Sequence, residues 1–117
     1  MSKYLVFINS GWLFQNVRSF LSDTYGCSVA QWATDLTELQ SLLITNSGIR
    51  AIISDVPPGT TLEQCYDALE QLTHGNVKII FIVNLDRGAR IHKSKREFTV
   101  IPEQNFRAPL KSALHAC

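Results

Sequence analysis

Short apolar runs alternate along this chain with segments in which apolar residues recur every three to four positions. The runs are rich in residues that favour strands and cover residues 4–8, 27–33, 49–54, 77–83 and 98–101. After the first run, Leu13, Val17, Phe20 and Leu21 fall on one face of a predicted helix. Two more helices are predicted between the later runs, and residues 110–114 begin or form a short last helix.

Capping residues mark where the helices are expected to begin. Ser10 precedes the first helix, in the position of an N-cap serine. Asp35 followed by Glu38, and Thr60 followed by Glu63, have the spacing of capping boxes and predict the starts of the second and third helices. The apolar residues expected to mark these two helices are Leu36, Leu39 and Leu43, then Leu62, Leu69 and Leu72.

This alternation predicts an α/β fold, a doubly wound parallel sheet of five strands with helices on both faces. The third strand candidate carries the run Ala51-Ile52-Ile53, which is apolar on both faces, as in a central strand of a parallel sheet. Residues 85–96 lack a helical apolar face. We therefore expect the fourth helix to be short, or replaced by a basic loop.

Length and composition narrow the class of protein. A chain of 117 residues, 45 % hydrophobic and 18 % charged, fits one globular domain over residues 1–117. No apolar run approaches the roughly 18–20 residues of a membrane helix, and no secretory signal is visible. The cysteines at positions 27, 65 and 117 form no CxxC motif and suggest neither a disulfide framework nor a zinc site. We expect a cytoplasmic domain, which could be part of a longer signalling protein.

Charge is distributed unevenly along the chain. The net charge of +1 combines −4 over residues 1–86 with +5 over residues 87–117. The basic C-terminal segment predicts a surface that binds an acidic protein partner. Residues 87–96 contain no aromatic residue to stack on bases, so nucleic-acid binding is the weaker alternative. The basic residues predicted to bind the partner are Arg87, Arg90, Lys93, Lys95, Arg96, Arg107 and Lys111.

Polar residues follow several of the predicted strands, at the sheet edge where ligands of doubly wound folds bind. This pocket is predicted to comprise Asn9, Ser10, Asp55, Asn84, Ile101 and Pro102. With Asp55 before two prolines, Asn84 after the fourth strand and Pro102 after the fifth, the chain resembles the receiver domain of bacterial two-component response regulators. The resemblance implies a flavodoxin-like fold, with an acidic pair for Mg²⁺, a phospho-accepting aspartate, a Ser or Thr, and a Lys-Pro pair at these positions.

The chain departs from that pattern at most of these positions. Asn9 and Ser10 stand where the acidic pair is expected, Asn84 replaces the hydroxyl residue, and Ile101 replaces the lysine. Neutral side chains attract Mg²⁺ much less strongly than carboxylates do. Only Asp55 persists, so we expect a degenerate receiver with no metal and no cofactor. The alternative expectations for Asp55 are a surviving phosphorylation site and an acid that bonds the backbone after it.

These features predict a non-catalytic signalling module rather than an enzyme. The family resemblance implies contact through residues 85–117 with a histidine kinase, another receiver or a DNA-binding domain, or with a second copy of the chain. A phospho-accepting receiver that uses Asp55 is one alternative, and a nucleic-acid-binding module that uses residues 87–96 is the other. Cys65 is predicted to be a small buried residue rather than a reactive thiol. Trp12, on the first turn of the first helix, is compatible with partial exposure.

Overall fold

A computed structural model describes residues 3–26, 28–46, 48–57, 59–73, 77–83 and 99–115. The strands are β1 (Tyr4–Phe7), β2 (Ala30–Trp32), β3 (Ala51–Asp55), β4 (Lys78–Val83) and β5 (Thr99–Pro102). The helices are α1 (Gly11–Tyr25), α2 (Leu36–Thr45), α3 (Leu62–Leu72) and α4 (Arg107–His115). Each strand overlaps one of the apolar runs, and each of the helices follows a strand as the sequence pattern predicts.

The five strands form one parallel sheet in the order β2-β1-β3-β4-β5. In the register of this sheet Phe7 pairs with Ser54, so the ends of β1 and β3 lie side by side. All five residues of β3 are buried, because helices cover both faces of this central strand. The doubly wound α/β fold with five parallel strands is therefore confirmed.

Each face of the sheet carries its own hydrophobic core. On one face α1 and α4 pack against the sheet, and the rings of Phe20 and Phe106 meet edge to face with centroids 6.0 Å apart. On the other face α2 and α3 contribute Leu39, Leu62 and Leu69. The residues predicted for the inner face of α1 are all buried: Leu13, Val17, Phe20 and Leu21.

The structure corrects two details of the sequence pattern. The capping box of α3 is formed by Thr61 and Gln64 and not by Thr60 and Glu63. Of the three leucines expected to mark α2, Leu39 is buried, whereas Leu36, the first residue of the helix, is 43 % exposed. The predicted loop at residues 85–96 lies outside the described residues. Among the residues described, no helix has the length and apolar character needed to cross a membrane.

Candidate functional site

The candidate site centres on Asp55, the last residue of β3, whose side chain is buried (7 % exposed). The backbone N–H of Asn9 donates to both carboxylate oxygens of Asp55, at 3.1 Å each. The N–H of Ser10 donates to Oδ2, also at 3.1 Å. A buried carboxylate needs hydrogen bonds to replace its lost hydration, and these two amides supply them.

The sheet register explains why these groups meet. Since β1 and β3 are parallel neighbours with Phe7 opposite Ser54, the segment that leaves β1 passes the end of β3. Ser10 is the N-cap residue of α1, so its N–H is one of the donors that the helix itself leaves unpaired. The carboxylate of Asp55 therefore lies at the positive end of the α1 dipole, where a negative charge is favourable.

Helix α1 has little capacity to cap its own N-terminus. Among the described residues, the Ser10 side chain makes no capping hydrogen bond, and the first turn contains no acidic residue. Leu13, in the third helical position, is buried and has no polar side-chain atom that could bond back to the N-cap. Asp55 thus supplies from β3 the acceptor and the charge that the sequence around Ser10 lacks.

This arrangement settles how the aspartate is held. The sequence left open that Asp55 bonds to the backbone that follows it, but its hydrogen bonds go to Asn9 and Ser10, 46 and 45 residues earlier in the chain. The backbone at Asp55 is held as well, since its carbonyl accepts from the buried Ser54 hydroxyl at 2.9 Å. The carboxylate is a tertiary contact between two segments rather than part of a local turn.

A thiol and a hydroxyl lie close together near Asp55. The Oγ1 of Thr60 and the Sγ of Cys65 are 3.6 Å apart. Burial raises the pKa of the Cys65 thiol, the hydrogen bond with Thr60 lowers it, and the charge of Asp55 raises it. The net effect is a raised pKa, so Cys65 is protonated near neutral pH. Cys65 is half-buried, and this raised pKa does not favour a role as a nucleophile.

The end of β5 places an apolar side chain where the resemblance implies a lysine. Ile101 is 1 % exposed and belongs to the core beneath α1 and α4. Pro102 pairs with Val83 at the sheet edge, and the N–H of Glu103 donates to the Val83 carbonyl at 2.7 Å. Ile101 therefore contributes to packing. Asn84, the remaining pocket residue predicted, lies outside the described residues.

The described residues around Asp55 do not suit a magnesium ion. The groups that point at its carboxylate are two N–H donors, whose positive ends repel a cation. Asn9 and Ser10, at the exit of β1, are uncharged. Over the described residues, no group of three or more His, Cys, Asp or Glu side chains could hold a metal ion.

The described part of the predicted binding surface is a row of basic residues on α4. Arg107, Lys111 and His115 are exposed and spaced four residues apart, which places them along one side of the helix. The helix sequence contains no acidic residue, while Leu110 and Leu114 pack inward. His115 continues the spacing of Arg107 and Lys111 along the helix. The other predicted binding residues lie outside the described residues: Arg87, Arg90, Lys93, Lys95 and Arg96.

Comparisons with known proteins identify the fold. No family model matches the chain, and no curated protein matches it. Two similar structures are the receiver domain of the hybrid histidine kinase CckA and a response regulator receiver protein from Burkholderia phymatum. The first has a TM-score of 0.62 and 18 % identity, with 97 % of this chain and 96 % of that chain covered. The second has a TM-score of 0.65 and 18 % identity, with 99 % and 94 % covered.

The same fold also occurs inside an enzyme. The lysine decarboxylase LdcF from Francisella novicida matches with a TM-score of 0.64 and 13 % identity, over 99 % of this chain but 17 % of that chain. A fold shared by a receiver and a segment of a decarboxylase does not decide function, which has to be argued from the site. The chain has the receiver-like, flavodoxin-like α/β fold that its sequence resemblance implied.

Proposed function

We propose that this chain is a degenerate receiver, a non-catalytic signalling module that binds other protein domains without accepting phosphate at Asp55. The observation that carries the proposal is the contact of the Asp55 carboxylate with the amides of Asn9 and Ser10. These hydrogen bonds occupy both oxygens of the one acidic residue that the receiver pattern retains.

The chemistry of phosphoryl transfer supports this reading. Transfer to an aspartate depends on positioning and on cations that neutralise the phosphoryl oxygens. Here the backbone hydrogen bonds withdraw electron density from both carboxylate oxygens and make either one a weaker nucleophile. The described surroundings offer an isoleucine at position 101 where a lysine is expected. An acyl phosphate at Asp55 would also have to fit at a buried position against the start of α1.

Mass spectrometry after incubation with acetyl phosphate and Mg²⁺ tests the first half of the proposal. We expect the mass of the wild-type protein to stay unchanged, as in the Asp55→Asn variant, which cannot be phosphorylated at that position. An active receiver domain treated in parallel shows that the donor works. A gain of one phosphoryl group in the wild type that is absent from Asp55→Asn would contradict the proposal and favour the phospho-accepting alternative.

The second half of the proposal concerns the partner. The basic residues along α4 are complementary to an acidic surface, and we infer that a histidine kinase, a receiver or a DNA-binding domain of a bacterial signalling protein supplies it. Exposed charges of this kind speed association and select partners more than they add affinity. A symmetric pair of copies would bring two basic helices together, so a heterologous partner is favoured over a homodimer.

Charge reversal on α4 tests this surface. Binding of an acidic polyglutamate peptide is measured for the wild type, for Arg107→Glu with Lys111→Glu, and for Lys3→Glu with Arg50→Glu as a control of equal charge. We expect the first variant to lose binding and the control to keep most of it. Equal losses would show that only net charge matters and would contradict a defined surface. Binding of duplex DNA with the same dependence on α4 would instead support the nucleic-acid alternative.

A further inference from the structure

The contact between Asp55 and the start of α1 has a consequence beyond phosphate chemistry. We infer that Asp55 is a tertiary N-cap of α1, and that its carboxylate fixes the first helical turn, on which the exposed Trp12 lies. The inference holds for the unmodified protein whether or not the module binds a partner. It assigns Asp55 a positioning role, exerted through the amides of Asn9 and Ser10.

Asp55 accepts the same hydrogen bond that the second residue of a capping box accepts. In a capping box, a side chain in the third helical position accepts from the N–H of the N-cap residue. In α1 the third position is Leu13, and the acceptor that the Ser10 N–H finds is Asp55 Oδ2 at 3.1 Å. The carboxylate also adds a negative charge at the positive end of the helix, as a capping Glu does.

The capped turn is connected directly to the protein surface. Trp12 follows Ser10 by two positions and is 60 % exposed. Its carbonyl accepts from Asn16 Nδ2 at 2.8 Å, so its backbone belongs to the ordered first turn of the helix. A buried carboxylate on β3 and an exposed indole on α1 are thus linked through one short segment. We therefore expect a change at the carboxylate of Asp55 to alter the surroundings of the Trp12 indole.

Amide hydrogen exchange measured by NMR tests the cap directly. In Asp55→Ala we expect the amides of Asn9 and Ser10 to exchange about tenfold faster or more, because hydrogen bonds to a charged acceptor are lost. Asp55→Asn keeps the shape and one acceptor oxygen, so its exchange is expected between wild type and Asp55→Ala. Asp35→Ala, which removes the local N-cap of α2, should leave the exchange of Asn9 and Ser10 unchanged.

Tryptophan fluorescence tests the link to the surface. Trp32→Phe leaves Trp12 as the single tryptophan and keeps an aromatic ring against Phe14, whose ring lies 5.0 Å from that of Trp32. In this background we expect Asp55→Asn to change the emission and acrylamide quenching of Trp12, and Asp35→Ala to leave both unchanged. A variant that is merely less stable would not move these signals in the folded state.

Several results would overturn the inference. Wild-type exchange at Asn9 and Ser10 in Asp55→Asn and Asp55→Ala would show that the carboxylate does not cap α1. Faster exchange with an unchanged Trp12 signal would show that the cap does not set the surface turn. If Asp55→Ala fails to fold, Asp55→Asn decides the question alone. A phosphoryl gain at Asp55 would contradict the proposed function and not the cap, so the two proposals can fail separately.

Discussion

The N-terminal backbone N–H groups of α1 and α3, which have no partner within their own helix, find acceptors in different ways. At α3, Thr61 accepts from the Gln64 N–H at 3.1 Å, and the Thr61 N–H donates to Gln64 Oε1 at 3.0 Å. Four consecutive residues therefore supply a complete reciprocal cap. At α1 the N–H of Ser10 donates to Asp55, a residue 45 positions away on another strand. The first cap needs only local sequence, whereas the second exists only once the sheet has formed.

The contrast between the two caps shows what Asp55 contributes to the fold. A local cap lowers the free energy of one helix wherever that helix lies. A cap supplied by β3 also fixes the position of α1 over the end of the sheet, because the helix start and the strand end share a buried charge. Asp55 stands where the receiver pattern has its phospho-accepting aspartate, and in this chain its carboxylate joins β3 to the start of α1.

Asp55→Ala is expected to have the largest effect on stability. Removing the carboxylate leaves two amide donors near the buried end of β3 without their acceptor, and bonds to a charged group are the costly ones to lose. We expect the free energy of unfolding to fall by about 3 kcal/mol. Urea denaturation measures it, with Asp35→Ala as the control that loses a local cap. A loss no greater than that of Asp35→Ala would contradict a tertiary role.

Much of the fold was predictable because it rests on local patterns. The four residues spaced along one face of α1 are the ones that the core buries: Leu13, Val17, Phe20 and Leu21. Asp35 caps α2 as the sequence predicts, and its Oδ1 accepts from the Glu38 N–H at 2.7 Å. The box at α3 was misplaced by one residue because Thr60 and Thr61 both precede an acceptor at the right spacing. Hydrogen bonding, which spacing alone does not reveal, selects Thr61.

The site was less predictable, since its key contact is long-range. The sequence predicted that Asn9, Ser10 and Asp55 follow strands at one edge of the sheet, and the structure brings these three together. The sequence pattern could not indicate that the backbone amides of Asn9 and Ser10, rather than their side chains, would face the carboxylate of Asp55. The available signal was negative: an apolar Leu13 in the third position of a helix whose N-cap is a serine. The free N–H groups of such a helix start bond either to water or to an acceptor from elsewhere in the fold.

Thr61→Ala should cause the next largest loss of stability. It removes the hydroxyl that accepts from the Gln64 N–H, and loss of an N-cap hydroxyl costs about 1 kcal/mol of stability. Because the box is local, amide exchange should rise at the first turn of α3 and stay unchanged at Asn9. Gln64→Ala, which breaks the other half of the box, provides a matched comparison. Faster exchange at Asn9 in Thr61→Ala would show that the two helix starts are not independent.

A smaller effect is expected on the pKa of Cys65, which lies on α3 and responds to the charge of Asp55 at the start of α1. Its pKa is raised chiefly by burial and also by the charge of Asp55, so Asp55→Asn should lower that pKa toward the ordinary value of 9.0. Thr60→Val removes a hydrogen bond that lowers the pKa and should shift it further upward. The rate of alkylation as a function of pH measures both shifts, in a chain carrying Cys27→Ser and Cys117→Ser.

The sign of the stability change follows from the same shift. The folded state favours the neutral thiol of Cys65, so the unfolded chain ionises first as the pH rises. The stability contributed by this group is complete below pH 9.0 and is lost as the pH rises through the higher folded pKa. An unfolding free energy that increased above pH 9.0 through Cys65 would contradict the raised pKa. Cys65→Ser, which does not ionise in this range, isolates the contribution.

Ser10→Ala is expected to have the smallest effect on stability, although serine is one of the preferred N-cap residues. Its backbone angles, φ −72° and ψ 120°, are accessible to alanine, and its N–H donates to Asp55 whatever its side chain is. We expect urea denaturation to show a change within about 0.5 kcal/mol, against about 1 kcal/mol for Thr61→Ala. A loss as large as that of Thr61→Ala would mean that the Ser10 hydroxyl caps α1 in solution. The helix start would then depend on its own sequence, and the contrast with α3 would disappear.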